Sequence, residues 1–295
     1  MKLLLMTTST QSTKIKSARL SGKTLNSIKT SPNTSNEPGS QAKPRSENRQ
    51  GNMRLHKILA RDGSISLRAA ERAITMGRVT VNGVAITQKG ANADPNKDVI
   101  TIDERKISGT PTRVYLILNK PKGYICSRHD EKGRKTVMDL VPDNYQNLYP
   151  VGRLDYNSEG LLLLTNDGDF TQLVLAPKNH IDRTYMVKVR NLPTVATLNK
   201  MESGITINRV KLKAGSVRMN ESTDSGAWLR FVLTEGKKHQ IRKLCETLGH
   251  PVQKLKRVSI GPITLGNLKP GESRHLSIEV VNRIKKDAGT TRSRK

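Results

Sequence analysis

Four consecutive leucines, residues 161 to 164, constrain the fold of this chain more than any other feature. They lie in VGRLDYNSEGLLLLTNDGD, residues 151 to 169, directly after a glycine-bounded loop. A strand that is apolar on both faces must be covered on both faces, so one end of the loop is fixed against the core. Arg153 and Asp155 therefore have little positional freedom. A catalytic carboxylate needs such rigidity, although a turn aspartate that accepts backbone hydrogen bonds would show the same spacing.

The surrounding segments alternate between short β patterns and helical patterns. Strands are predicted at the start of RVYLILNKPKGYICS and in RTYMVKV, GSVRM and AWLRFVLT, and helices in TVATLNKMESG and KHQIRKLCETLG. Because no βαβ repetition appears, these patterns indicate an α+β domain with a mixed, largely antiparallel sheet and flanking helices. We assign residues 113 to 285 to this domain and residues 286 to 295 to a basic tail.

Residues 53 to 104 predict a smaller module of two helices and a hairpin, in RLHKILAR, SLRAAERAITMG and RVTVNGVAIT. Ser66 suits the start of the second helix, and Gly77 suits its end. Asn82 and Gly83 between two β runs favour a type I′ turn. The polar residues 105 to 112 are expected to form a linker to the larger domain.

Cations lie three and four residues apart on both helices of the module, so each set shares a helical face. Solvated helices can show this spacing too, but cations on both helices of so small a module favour contact with phosphates. The sets are Arg54, Lys57 and Arg61 on the first helix, and Arg68 and Arg72 on the second, with Arg78 just beyond it.

The net charge of +27, from 52 basic and 25 acidic residues, indicates a polyanionic partner, and nucleic acid is preferred over a membrane. No apolar run approaches the ~18 residues that would span a bilayer. Residues 1 to 52 are rich in Ser, Thr, Asn and Lys and are predicted to be disordered. They suit either a nucleic-acid-binding tail or an organelle transit peptide.

Neither cysteines nor histidines are spaced as metal ligands. The two cysteines, Cys126 and Cys245, need no disulfide framework, so a reducing compartment is expected: the cytoplasm, or an organelle if a transit peptide is present. The histidines form no zinc-binding cluster, and the chain has no P-loop, dinucleotide-binding or G-x-S-x-G motif. We therefore expect no metal and no nucleotide cofactor.

Two resemblances add to this interpretation. Residues 53 to 104, and VTVNG above all, resemble the S4 RNA-binding domain, although Leu67 stands where many members have a further basic residue. GRLDYNSEGLLLLTNDG resembles the catalytic loop of the RsuA/RluB family of ribosomal-RNA pseudouridine synthases. LNKPKGYICS, IDRTYMVKV and TEGKKHQIRKLCETLGHPVQKLKRVSIG agree with that family in order and spacing, so the resemblance covers residues 53 to 280.

The resemblance implies a catalytic domain with a central cleft that isomerises uridine without a cofactor. It implies that Asp155 acts at the sugar, that Tyr185 stacks on the base, and that Arg242 pairs with Asp155. By itself, Arg242 would be interpreted as a surface arginine on a cationic helix. Arg153 is expected to position the loop or a phosphate, or to form a structural ion pair.

The target base must leave its stack, so cations are expected to hold the distorted RNA backbone. The candidates are Lys254, Lys256 and Arg257. The expected partner is ribosomal RNA or a ribosomal precursor particle, with the protein acting as a monomer. IDRTY and GRKTVMDLVP resemble large-subunit enzymes more than small-subunit ones, which remain open. An inactive RNA-binding or ribosome-assembly factor is the alternative from another class, and a phosphodiester hydrolase is disfavoured.

Overall fold

The computed structural model describes residues 51–61, 64–107, 112–145 and 147–290, apart from the side chains of residues 289 and 290. Residues 1 to 52 are predicted to be disordered, and residues 1 to 50 of that segment lie outside the described residues. Contacts unite the described residues in one compact unit. None of their helices combines the length and the apolarity that a membrane crossing requires.

The N-terminal module, as far as it is described, contains two helices and two small antiparallel sheets. The helices are α1 (Leu55–Leu59) and α2 (Leu67–Thr75). The strands are β1 (Met53–Arg54), β2 (Val79–Val81), β3 (Val84–Ala85), β4 (Asn92–Ala93), β5 (Ile100–Ile102) and β6 (Arg105–Lys106). Strand β1 pairs with β4, and the other four strands lie in the order β3-β2-β5-β6.

Local signals in the sequence of this module are confirmed. The Ser66 side chain accepts a hydrogen bond from the Ala69 N–H and caps α2. Asn82 and Gly83 both have positive φ, 53° and 81°, as the predicted type I′ turn requires. The module, however, continues beyond residue 104, because β6 pairs with β5 and Ile107 packs on the module's core. The linker therefore begins later than expected.

The described part of the larger domain contains eleven further strands and four helices. The strands are β7 (Tyr115–Lys120), β8 (Tyr149–Val151), β9 (Glu159–Thr165), β10 (Arg183–Arg190), β11 (Ile205–Ile207), β12 (Val210–Leu212), β13 (Ser216–Thr223), β14 (Gly226–Leu233), β15 (Val252–Ile260), β16 (Ile263–Thr264) and β17 (Ser273–His275). The helices are α3 (Gly168–Leu175), α4 (Val195–Ser203), α5 (Gln240–Thr247) and α6 (Ile278–Thr290). Short 3₁₀ turns lie at Val137–Leu140, Asp143–Tyr145 and Pro177–Asn179.

Nine strands form one sheet, whose main path runs β13-β14-β10-β15-β9-β7-β17. The pairing of β9 with β15 is parallel, and the pairings on either side of it are antiparallel, which confirms the predicted mixed sheet. Helix α6 extends to Thr290, so the tail expected from residue 286 begins within a helix. Val281, Ile284 and Ala288 are buried at helical spacing and explain this extension.

The two sides of the sheet's parallel pair differ in burial. We call β7 and β9 the closed half: their alternate residues pack into two separate cores, one with α3 and α6 and one with the segment around Val137–Leu140. We call β10, β13, β14 and β15 the open half: it packs one core, against α4 and α5. The halves meet where Gly160 of β9 faces Arg257 of β15.

Candidate active site

A cavity of about 350 Å³ lies where the two halves of the sheet meet. The loop from Val151 to Ser158 forms one wall, and residues 233 to 242, which lead into α5, form another. Tyr185 on β10 and Arg257 on β15 also line the cavity. The cleft implied by the resemblance is therefore present, and Arg153, Asp155, Tyr185, Arg242 and Arg257 surround it.

The close meeting of the two halves depends on Gly160. Its φ is 106°, and a Cβ atom at this position would lie 2.2 Å from the Arg257 carbonyl oxygen. Because that oxygen belongs to a sheet backbone, it cannot move aside as a flexible side chain would. Any side chain at residue 160 would push β15 away from the loop that precedes β9.

Lys120 fixes the same loop from the closed half. This side chain is fully buried, and its Nζ donates hydrogen bonds to the carbonyl oxygens of Pro121 (3.0 Å), Asp155 (3.2 Å) and Ser158 (2.9 Å). Desolvation lowers the pKa of Lys120, against the attraction of Cys126, Asp155 and Glu159. Our sequence analysis did not select Lys120, although a cation that ends the apolar run YLILNK was a visible signal.

The Asp155 side chain is 40% exposed, and its Oδ1 lies 3.5 Å from Nε2 of His239. The backbone carbonyl of Asp155, not its carboxylate, accepts the turn hydrogen bond from the Ser158 N–H at 3.0 Å. Among the described residues, no backbone N–H donates to the carboxylate. The geometry therefore disfavours the turn-residue interpretation and leaves the carboxylate facing the cavity.

The expected ion pair between Arg242 and Asp155 is wrong for this structure. Arg242 Nη2 instead donates to the Asn157 carbonyl oxygen at 3.1 Å and lies 3.5 Å from the Ser158 hydroxyl oxygen. In the part of the chain that is described, His239 is the cation-forming side chain within 4.0 Å of the Asp155 carboxylate. The 40% exposure of the Asp155 side chain leaves its carboxylate hydrated, so the charge does not require a buried cation as a partner.

The backbone of His239 explains how its ring reaches Asp155. His239 precedes α5 with φ 55° and ψ 30°, a left-handed conformation that is uncommon for a residue other than glycine. Such conformations cost free energy and cluster at functional sites. Sequence reasoning missed His239, and its position between Lys238 and Gln240 gave no periodic signal.

The helix that carries Arg242 is oriented as predicted. Ile241, Leu244 and Cys245 are buried in the core, and Leu248 packs against it. Burial raises the pKa of the Cys245 thiol to about 12, as expected of a core residue rather than a nucleophile. Behind the loop that carries Asp155, Cys126 Sγ accepts a hydrogen bond from the Leu154 N–H at 3.2 Å and further restrains that loop.

The cationic run at residues 254 to 257 is divided by the sheet. Arg257 is 4% exposed and lines the cavity, with its Nε donating to the Leu161 carbonyl oxygen at 2.8 Å. The Arg257 Nη2 is buried without a hydrogen-bond partner. Lys254 and Lys256 are not among the cavity-lining residues, since they alternate with Leu255 and Arg257 along the strand.

Sequence comparisons place this site in a known family. A sequence model described as RNA pseudouridylate synthase matches residues 114–247, and an S4 domain model matches residues 53–99. Ribosomal large subunit pseudouridine synthase B of Bacillus subtilis strain 168 is 37% identical over 235 residues, which cover 79% of this chain and 95% of that protein. The chain belongs to the family of RNA pseudouridine synthases.

Two further relatives agree with this membership. An uncharacterized RNA pseudouridine synthase of Aquifex aeolicus strain VF5 is 37% identical over 226 residues, covering 76% of this chain and 90% of that protein. The crystal structure of a pseudouridylate synthase superposes with a TM-score of 0.56 at 26% identity and covers 79% of this chain and 99% of that one. The resemblance recognised in the GRLD loop and the S4-like module is confirmed.

The S4 domain of this pseudouridine synthase arranges its cations differently from the expectation. Arg54 lies before α1 and donates to the Gly90 carbonyl oxygen, which leaves Lys57 within the helix and Arg61 beyond its C-cap, Ala60. Those two side chains line a second cavity, of about 300 Å³, beside residues 166–169 of the larger domain. Arg78 forms an ion pair with Asp103.

The cations on the second helix of the S4 domain, α2, are exposed to solvent. Arg68 and Arg72 are exposed and line a shallow groove together with Lys89, a residue that sequence reasoning did not select. Glu71 and Thr75 complete the groove. This part of the S4 domain therefore matches the predicted phosphate-binding face better than α1 does.

Proposed function

We propose that this protein converts a uridine of large-subunit ribosomal RNA into pseudouridine, with the Asp155 carboxylate acting at the ribose. One observation carries the proposal: Asp155 is held at the rim of the cavity between the two half-sheets, with its carboxylate free of the turn hydrogen bond. The large-subunit enzyme of Bacillus subtilis supports the choice of RNA. A cavity of about 350 Å³ falls in the usual range for a small-molecule pocket, which suits a single nucleotide.

The reaction breaks the bond between N1 of the base and C1′ of the ribose, turns the base, and joins C5 to C1′. The proton on C5 is lost and one is gained at N1, so no atom is added and no electron acceptor is needed. The carboxylate of Asp155 attacks C1′ or removes the C2′ proton, and both routes require it to stay ionised and correctly placed. Lys120 maintains the placement through the Asp155 carbonyl oxygen.

The other cavity residues would hold the flipped nucleotide. Tyr185 presents a half-buried ring on which the base can stack. Arg153 is exposed at the rim and would bind a phosphate. Arg242 would act indirectly, by holding the backbone at Asn157. The open cations of α2 would bind the RNA outside the cavity.

No cofactor is required by this chemistry, and the protein would act as a monomer on ribosomal RNA or a ribosomal precursor particle. Two free cysteines, Cys126 and Cys245, suit a reducing compartment, and we place the protein in the cytoplasm.

Mapping pseudouridines in ribosomal RNA from cells with and without the gene tests this function. We expect one or more large-subunit pseudouridines to disappear and to return with the wild-type gene but not with Asp155→Asn. Loss confined to the small subunit would contradict the proposed substrate. If the pseudouridine map is the same with and without the gene, and the purified protein still binds ribosomal RNA, the result would support the inactive assembly factor instead.

A further inference from the structure

The open half of the sheet presents a second face, opposite the core that packs against α4 and α5. Along β10, Val187 and Val189 are buried in that core, whereas Met186, Lys188 and Arg190 alternate with them. The same alternation on the neighbouring strands defines the outer face of the open half. Its charged and large apolar members on these four strands are Met186, Lys188, Arg190, Arg218, Glu221, Trp228, Arg230, Val232, Lys254 and Lys256.

Strand register places like charges directly opposite one another on this outer face. Arg218 of β13 faces Arg230 of β14, and Lys188 of β10 faces Lys254 of β15. Like charges at opposed positions destabilise a sheet, so the requirements of folding do not account for them. An anionic ligand bound across the strands would offset this repulsion.

Few acidic groups neutralise these cations. Arg218 Nη1 pairs with Glu202 at 2.8 Å, but within the described ranges no carboxylate lies within 4.0 Å of the other cations of the outer face. Two acids belong to the face: Glu221 of β13 stands opposite Trp228, and Glu159 of β9 stands opposite Lys256 and pairs with Lys122 at 3.5 Å. The face therefore keeps an excess of positive charge.

Trp228 lies on the same face as the cations. It is half-buried and stands between Lys188 on one neighbouring strand and Glu221 on the other. A tryptophan among arginines and lysines supplies a stacking surface for a base as well as phosphate contacts. An anionic membrane suits the face less well, because its large apolar side chains, Met186, Trp228 and Val232, are all half-buried in the sheet and not free to insert.

We propose that the outer face of the open half is a second RNA-binding surface, which holds phosphates of the RNA outside the segment that enters the cavity. The sheet itself separates the two surfaces, because Leu255 and Arg257 line the cavity while Lys254 and Lys256 point the other way. The inference rests on the RNA substrate of the proposed function, but not on isomerisation by Asp155.

Tryptophan fluorescence tests the proposal in the unmodified chain, because Trp228 is the single tryptophan. Titration with a large-subunit ribosomal RNA fragment that extends beyond a stem-loop should change the Trp228 emission, and added salt should reverse the change. An unchanged spectrum at saturating RNA would overturn the proposal. An equal response to polyglutamate or to phosphatidylserine vesicles would also overturn it, since the face would then lack any preference for RNA.

A charge-neutralised variant gives the quantitative test. Lys188→Gln, Arg190→Gln and Arg230→Gln together should lower affinity for the long fragment about 10-fold or more and reduce the slope of log affinity against log salt by about 2 to 3. The matched control, Lys200→Gln, Lys269→Gln and Arg283→Gln, removes three exposed charges elsewhere on the domain and should leave that slope nearly unchanged. Equal slopes in the two variants would contradict an outer-face contact.

These results are separable from the proposed function because neither experiment requires turnover. RNA bound on the outer face without pseudouridine formation would refute the proposed isomerisation and preserve this inference. Pseudouridine formation with no change in Trp228 emission would preserve the proposed isomerisation and refute RNA binding on the outer face. The variant should also fold, since it removes opposed like charges, and thermal unfolding checks this point.

Discussion

The closed and open halves share one sheet but differ in what surrounds them. On the closed half, β7 is buried along its whole length, and β9 is buried from Gly160 to Thr165. On the open half, β14 alternates between buried residues such as Leu229 and an exposed Arg230. The closed half therefore holds its residues in fixed positions. The open half instead leaves side chains accessible to ligands, both in the cavity and on its outer face.

The loop that carries Asp155 connects these properties. Its anchors belong to the closed half, where Lys120 binds two of its carbonyl oxygens. The side chains that face Asp155 across the cavity, Tyr185 and His239, belong to the open half and the segment after it. Changes in the closed half should therefore affect stability and loop position, and changes in the open half should affect activity with little effect on stability.

The largest effect on the closed half is expected from Lys120→Met. Removing the ammonium group leaves one buried and two partly buried carbonyl oxygens without this donor, which should lower the free energy of unfolding by about 2–4 kcal/mol. A shift of Asp155 by an ångström should reduce turnover about 100-fold. Chemical denaturation and single-turnover kinetics measure the two effects.

Lys122→Met is the matched control for this variant. Lys122 is a partly exposed neighbour that pairs with Glu159, so its loss should cost no more than about 1 kcal/mol. Equal stability and turnover in the two variants would show that Lys120 does not anchor the loop.

A second prediction separates stability from activity at the end of the closed half, just beyond β9. The Asp167 carboxylate is 1% exposed and binds Tyr115 (2.7 Å), Arg113 (3.1 Å) and Lys285 (3.2 Å). Asp167→Asn should lower the free energy of unfolding by about 3 kcal/mol, since the cations lose their buried partner. Turnover of the folded protein should change little, because Asp167 does not line the Asp155 cavity.

The lowered pKa of Asp167 also predicts how the free energy of unfolding changes at acid pH. Desolvation raises the pKa of Asp167, but its hydrogen bonds from Tyr115 and Phe170 and the charges of Arg113 and Lys285 outweigh this effect and lower it below 3.8. The stabilisation is therefore complete above the unfolded pKa and is lost as pH falls through the folded pKa. Denaturation curves below pH 4 should show this loss in the wild type and a smaller loss in Asp167→Asn. The same pH dependence in both would be inconsistent with this network.

The smallest effect on stability is expected beside the open half, from His239→Asn. Asparagine tolerates the left-handed backbone of residue 239, so the free energy of unfolding should change by less than about 0.5 kcal/mol. Loss of the imidazole contact with Asp155 should slow turnover about 10-fold, which corresponds to about 1.4 kcal/mol of activation free energy. His129→Asn in an exposed loop is the control, and identical kinetics in both variants would remove His239 from the site.

The sequence predicted the elements whose signals are local. The run at residues 161 to 164 became a strand buried on both faces, and Ser66, Asn82 and Gly83 took the cap and turn positions that their chemistry favours. Period-two alternation also predicts that Arg257 faces the opposite side of the sheet from Lys254 and Lys256, although we treated the three cations as one cluster.

The rest depended on distances that no local pattern encodes. Arg242 lies on the predicted side of α5, yet the loop backbone at Asn157 takes its hydrogen bond. His239 reaches Asp155 only because one residue before α5 adopts a left-handed conformation. Arg54 falls outside α1 by one position, which is within the usual error of a predicted helix boundary and is enough to change its direction.

Release of tritium from a transcript labelled at C5 of uridine tests the central claim most directly, because C5 loses its proton when pseudouridine forms. Asp155→Asn preserves the size of the side chain and removes its charge. We predict that this variant binds the large-subunit transcript with wild-type affinity and releases no tritium above background, while the wild-type protein releases it. Release by Asp155→Asn at the wild-type rate would contradict the assignment of Asp155 as the reacting group.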